Sequence, residues 1–204
     1  MKTETERGRG HNLPTRTKEK NMPNYELLKK APFSLGDASL AWVRETLESM
    51  SEDEKIGQLF HLVTYTSEEE ALRTLCETYK PGGMMARTLP LTEACRVSNA
   101  LQKHSRIPML ISANFEAGGD GMVAEGTNVG PNMMIAATGD PDNARRQGEV
   151  AAAEGMAVGA NYAFAPVIDI DFNFRNPITN TRTYGSDPAF VAAAGEAFTR
   201  AVQA

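Results

Sequence analysis

The sequence predicts an α/β fold assembled from parallel βα units. Three observations carry this expectation. Short apolar runs alternate with stretches of helical apolar spacing, capping residues stand where those stretches begin, and one run, "IPMLISA", is continuously apolar like a strand buried on both faces.

The first helix is expected over residues 38–50, where Leu40, Val43, Leu47 and Met50 recur at helical spacing and Asp37 can accept from the free first-turn N–H groups. Ser51 and Glu54 in "SEDEKIGQLFHLV" have the S-x-x-E spacing of a capping box, so a short helix begins there and passes into a strand over Gln58 to Val63. "TSEEEALRTLCETYK" repeats the device with Ser67 and Glu70, and Leu72, Leu75 and Tyr79 form the stripe expected to be buried. Pro81, Gly82 and Gly83 end that helix.

The cycle then repeats. "GMMA" is a second strand, "LTEACRVSNALQKH" a helix with Ala94, Val97 and Leu101 inward, and "IPMLISA" the third strand. A long glycine-rich connection follows, "NFEAGGDGMVAEGTNVGPN". Asp140-Pro141 is expected to cap a helix reaching about Val158. "YAFAPVID" reads as the fourth strand, and Asp187-Pro188 caps a last helix, "AFVAAAGEAFTRAVQ".

Four strands in about 170 residues equal half of a closed eight-stranded βα barrel, which takes about 250. They would also make a small open parallel sheet, and spacing leaves both open.

Composition narrows the function classes. The 204 residues carry a net charge of −5, which argues against nucleic acid, since phosphate binding needs a basic face. The charge is uneven: "MKTETERGRGHNLPTRTKEK" holds six Lys or Arg against three Glu, a surplus of +3 that leaves −8 for the rest. Residues 1–22 are too polar to offset the entropy of ordering them and are expected to form a disordered tail, with residues 23–204 as one domain. No apolar run approaches the roughly 18 to 20 residues of a membrane span, and the polar start lacks the apolar centre of a secretory signal. The expectation is a cytoplasmic protein with no membrane partner. Cys76 and Cys95 have no CxxC spacing or histidine cluster, so free thiols are expected, with no metal site.

Ligands of parallel βα folds lie beyond the carboxyl ends of the strands. The unusual polar residues fall there: Thr64 after the first strand, Arg87 after the second, Asn114 and Glu116 after the third. After the fourth come Asp169, Asp171, Asn173, Arg175, Asn176 and Arg182. Carboxylates and amides exchange hydrogen bonds with hydroxyls, and a guanidinium holds two oxygens at fixed geometry, which suits a sugar better than an apolar ligand. Each also has a structural reading, since Asp169 and Asp171 can cap loop backbone and Arg175 can be a solvated arginine. His11 falls in the tail, His104 at a helix C-terminus facing the dipole, and His61 reads as a hydrogen-bonded core histidine. "DIDFNF" imitates a calcium loop but has Phe174 at the glycine position and Asn180 at the twelfth. "GGDG" lacks both the dinucleotide fingerprint and the Lys-Ser/Thr of a P-loop, so its glycines are assigned to tight turns or close approach. No cofactor is expected.

Several segments together resemble one family. "MSEDEKIGQLF" is similar to the entry segment of glycoside hydrolase family 3, "PGGMMA" to its second strand, "PMLISANFEAGGDG" to its third strand and sugar-facing loop, and "FAPVIDIDFNFRNPITNTRTYGSDP" to its fourth strand and signature loop. The likeness covers about residues 38 to 204 and is strongest to the bacterial β-N-acetylglucosaminidase and β-glucosidase branch. It implies a partial TIM (β/α)8 barrel, the amino-terminal half with parallel strands, and a small carbohydrate substrate. Arg182 in "TRTYGSDP" matches the family arginine that hydrogen-bonds sugar hydroxyls. In "ANFEAGG", Asn114 and Glu116 stand near the acidic positions of a D-Q-E-G-G-like motif, either of them able to grip the sugar, and Asp169 matches the strand-end aspartate. The family's Lys-His motif and its aspartate nucleophile do not occur within these residues. The resemblance therefore implies no catalytic residue here and an inactive chain on its own, contributing sugar-binding loops to a retaining hydrolase of terminal β-linked GlcNAc or glucose. The alternative is a non-catalytic relative that binds sugar or assembles through its open sheet edge.

Overall fold

The computed structural model describes residues 23–204; the expected disordered tail, His11 included, lies outside the described residues. The chain divides into two compact units, one within residues 1–49 and one over Met50–Ala204. In the first, a 3-10 turn, Tyr25–Lys29, precedes helix α1, Asp37–Ser49. Asp37 was expected to cap this helix from outside and instead opens it. Its carboxylate pairs with Lys29 Nζ at 2.9 Å, and that hydrogen bond and charge hold it below the usual carboxylate range. Arg44 stacks over the Tyr25 ring at 5.2 Å.

The second unit runs α2 (Glu52–Gly57), β1 (His61–Thr64), α3 (Glu69–Tyr79), β2 (Gly83–Ala86), α4 (Leu91–His104), β3 (Leu110–Ala113), α5 (Asn132–Ala137), α6 (Asn143–Ala157), β4 (Tyr162–Ala163) and α7 (Pro188–Val202). The expected capping box at Ser51 forms in full: Ser51 Oγ accepts from Glu54 N–H at 3.2 Å, and Glu54 Oε2 accepts from Ser51 N–H at 2.9 Å. Asp187 Oδ1 likewise accepts from Ala189 N–H at 3.0 Å, with Pro188 in the first turn of α7.

Other expectations shift. Ser67 does not cap α3; its hydroxyl donates to Glu93 Oε2 at 2.8 Å, and Glu68 stands at the N-cap without a side-chain bond. The buried stripe of α3 turns from Leu72 to Cys76, and Tyr79 is 59% exposed. Helix α6 starts at Asn143 because Asp140 accepts from Asp142 N–H at 2.9 Å, making a turn ahead of the helix. Helix α5 starts on the last residue of the glycine-rich connection and runs through residues to which the sequence assigned no element. The first strand starts at His61, since Gln58 is still the C-cap of α2, and only Tyr162 and Ala163 of the fourth run pair with the sheet.

All four strands are parallel, in the order β1-β2-β3-β4. Register pairs His61 with Gly83, Gly83 with Leu110 and Ser112 with Tyr162. An open doubly wound sheet reverses its strand order at a switch point and covers both faces with helices. Here the order never reverses. Met84, Ala86, Ile111 and Ala113 on one face join Leu72 and Cys76 of α3, Val97 and Leu101 of α4, Ala144 and Ala151 of α6, and Val191 and Phe198 of α7 in a single core. The other face is half open, with Val63, Leu110, Tyr162 and Phe164 each about two-fifths to one-half exposed. The sheet is thus one wall of a barrel, and Cys76 and Cys95 are free thiols.

Candidate functional site

The site is built at the carboxyl ends of β3 and β4. Beyond β3 the chain doubles back so tightly that a Cβ on Gly121 would lie 1.9 Å from the Asn114 carbonyl oxygen, and Gly118 adopts φ +130°, where side chains are strained. The glycines of "GGDG" therefore serve the close approach of the loop to its own backbone. This fold-back is fastened by Gly119 N–H to Thr127 O at 3.0 Å and Val129 N–H to Ala117 O at 2.7 Å.

From this loop Glu116 meets Arg182, which arrives from the long connection after β4. Arg182 Nε donates to Glu116 Oε2 at 2.7 Å, and Nη2 donates to Oε1, a two-pronged pair. Glu116 is 14% exposed and Arg182 44%, so the carboxylate is enclosed while part of the guanidinium faces solvent. The hydrogen bonds that Arg182 donates to Glu116 raise its pKa against the opposing effect of burial, and the charges of Glu116 and Asp169 add to it.

An open cleft of about 580 Å³ is lined by Met85, Asn114, Glu116, the Ala163–Asp169 segment and Arg182. All four residues singled out from the sequence, Arg182, Glu116, Asn114 and Asp169, thus share one cleft. Three other polar residues after β4 do structural work: Asp171, Asn173 and Asn176 accept from the N–H groups of Asn173, Arg175 and Ile178. Arg175 lies over Phe174 at 5.4 Å and Arg87 over Tyr65 at 5.8 Å. Neither lines the cleft.

Two buried amides hold the pair from behind. Gln147 of α6, wholly buried, donates to Glu116 O at 2.7 Å and Gly130 O at 2.9 Å, and accepts from the Tyr184 hydroxyl at 3.3 Å. Burial pushes the Tyr184 phenol well above its ordinary range, so it stays a donor. Asn132, at the start of α5, donates to Arg182 O at 2.8 Å. Sequence reading missed both amides. A signal for Gln147 was present: with Ala144, Gly148, Ala151 and Gly155 it occupies the buried stripe of α6, where an amide is out of place without partners.

His61 lies on the half-open sheet face, against Gly83. Its Nε2 is 2.7 Å from Ser112 Oγ, and its ring meets Tyr162 and Phe164 edge-on, so it is hydrogen-bonded as expected but half-buried on this face instead of in the core. His104 ends α4 with Nε2 3.1 Å from Glu69 Oε1. Among the described residues, no three His, Cys, Asp or Glu side chains gather as a metal site, and no helix is long and apolar enough to cross a membrane.

A wall of consecutive parallel βα units, with a carboxylate-guanidinium pair at the strand ends, defines a protein of the βα-barrel class whose polar groups gather at the barrel mouth. The comparisons with known proteins agree and are narrower. The model of the Glycosyl hydrolase family 3 N terminal domain matches residues 51–204, and the chain belongs to that family. It is 52% identical over 177 residues to a beta-N-acetylglucosaminidase/beta-glucosidase of Cellulomonas fimi, covering 87% of this chain and 31% of that protein. A solved beta-glucoside phosphorylase superposes with a TM-score of 0.82 at 39% identity, over 87% of this chain and 32% of that one. A family 3 beta-N-acetylglucosaminidase from Paenibacillus superposes with a TM-score of 0.70 at 28% identity, over 76% and 31%. The chain therefore spans about a third of the length of these relatives.

Proposed function

We propose that residues 23–204 are the amino-terminal part of a barrel domain that binds a terminal, non-reducing β-linked GlcNAc or glucose residue for retaining hydrolysis. The observation that carries this reading is the Glu116–Arg182 pair at the wall of a cleft shared with Asn114 and Asp169. The exposed part of the guanidinium donates to ring hydroxyls. The carboxylates of Glu116 and Asp169 accept from them, and the Asn114 amide does both. Pairing with Glu116 fixes the Arg182 fork before the sugar arrives, so less entropy is lost on binding.

Retaining hydrolysis also needs a nucleophile and a proton donor, roughly 5 Å apart when both are carboxyls. We assign neither role to a residue of this chain, and hold that the 204 residues alone bind sugar without cleaving it. A cytoplasmic setting belongs to the same reading.

The test has two parts. The 204-residue chain is titrated with GlcNAc and with glucose, and Arg182→Ala is expected to abolish the binding. For catalysis, this chain replaces the matched segment of the Cellulomonas fimi relative and is assayed on aryl β-GlcNAc and aryl β-glucoside. There Arg182→Ala is expected to lower kcat/KM by roughly 2 to 4 kcal/mol of transition-state binding, the range for charged hydrogen bonds in enclosed sites. An unchanged kcat/KM would remove Arg182 from the site.

A second reading is favoured by the likeness to the beta-glucoside phosphorylase. In it, inorganic phosphate takes the glycosyl group in place of water. Assaying the same chimera with and without phosphate separates the two, because hydrolysis yields the free sugar and phosphorolysis the sugar 1-phosphate.

A further inference from the structure

Among the described residues Gln147 is the one fully buried side chain that bonds both segments that carry the ion pair, and a buried amide is retained at a cost unless its bonds are made. Both Nε2 protons are used, on the carbonyls of Glu116 and Gly130, and Oε1 accepts from Tyr184. Glu116 sits three residues past the end of β3, and Tyr184 two residues past Arg182. Helix α6 thus reaches, through one carboxamide, the backbone carbonyl of Glu116 and the hydroxyl of Tyr184 in the segment that carries the guanidinium.

We propose that Gln147 is the positioning residue of the candidate site, setting the separation at which Glu116 and Arg182 pair. The Tyr184 side chain, itself 1% exposed, relays this constraint to the arginine segment. Asn132 then fixes the arginine's own carbonyl from α5. Two helices clamp the two loops, so the fork is held by the core as well as by the loops' own turns. The functional consequence rests on the reading of the pair as a sugar-binding element; the positioning itself does not.

The measurement is the NMR signal of the Arg182 Nε–H, identified by its disappearance in Arg182→Ala, on the 204-residue chain. In the wild type this proton faces Glu116 Oε2 and is expected to be shifted and protected. Gln147→Met keeps length and volume and removes every hydrogen bond. It is expected to move the signal toward that of a free guanidinium and to speed its exchange by about tenfold or more, with dispersed backbone amides retained. Tyr184→Phe deletes only the hydroxyl and is expected to act in the same direction, less strongly.

A merely structural amide would lower Tm and leave the Arg182 Nε–H signal where it was, and that result overturns the proposal. Should Gln147→Met fail to fold, Tyr184→Phe decides: an unmoved signal there overturns it equally. GlcNAc and glucose titrations of the same variants keep the two ideas apart. If the Nε–H signal responds while the wild-type chain binds neither sugar, the positioning holds and the sugar reading fails.

Discussion

Arg182 and Glu116 show what an ion pair contributes when one partner is enclosed and the other reaches solvent. Exposed pairs are worth little, since water solvates both charges well. Here the carboxylate has lost most of its water, so removing the guanidinium would leave it poorly solvated. Arg182→Lys would keep the charge and lose the fork, which makes it a poor conservative change at this position.

His61 supplies a pH prediction at the same scale. Burial lowers its pKa from the ordinary 6.5, because the imidazolium is less well solvated on the sheet face. The unfolded chain takes up its proton near 6.5, while the folded chain resists until the pH reaches the depressed value. The contribution to stability is therefore complete above 6.5 and declines as the pH falls through the folded pKa. An NMR titration of the His61 ring in the folded chain should give a midpoint below 6.5, and a midpoint at or above that value would refute the account.

At the level of elements, β1 and β2 are matched by one close contact. A Cβ added to Gly83 would stand 2.0 Å from His61 Nδ1, so the imidazole lies where any side chain at that position would go. Gly83→Ala should push His61 off Ser112 and cost about 1 to 3 kcal/mol, the usual range for overpacking. Thermal or urea unfolding measures the loss. The same change in a His61→Ala background should cost clearly less, and an equal cost in both backgrounds would show that the ring is not what excludes the methyl group. Helix packing follows the same logic on the other face. Gly148 of α6 lets α7 approach until its Phe198 carbonyl lies 2.7 Å from where a Cβ would be.

For the molecule as a whole, the sheet has one face packed on helices and one face half open, with apolar Val63, Leu110, Tyr162 and Phe164 at its surface. The edges at β1 and β4 also carry backbone groups without strand partners among the described residues. Such a surface favours burial against more polypeptide. We propose that the 204-residue chain produced as it stands associates with itself through this sheet. Light scattering over a concentration series is expected to give a mass that rises with concentration. A constant monomer mass with a single cooperative melt would sink the proposal.

Much of the βα alternation was legible because it is local. The Ser51–Glu54 box and the Asp187 cap close within three residues, so spacing alone announces them. The bounds of Gly83–Ala86 and Leu91–His104 follow from uninterrupted apolar character and helical period. Arg182, Glu116, Asn114 and Asp169 were legible as members of a larger set of polar residues just past apolar strands, and the resemblance to the family separated them from Asp171, Asn173 and Asn176, which bond loop backbone. What the residues after the strands do is decided over longer distances. Arg182 and Glu116 are 66 residues apart, and their pairing exists only once β3 and β4 lie side by side. Ser67 gave up its cap for Glu93, 26 residues away, and the fourth strand keeps register with β3 over Tyr162 and Ala163, with Asn161 and Phe164 adding one backbone bond at each end. Gln147 and Asn132 are invisible to spacing for the same reason: a hydrogen bond within one turn is encoded in neighbouring residues, whereas a bond between helix and loop depends on where packing brings them.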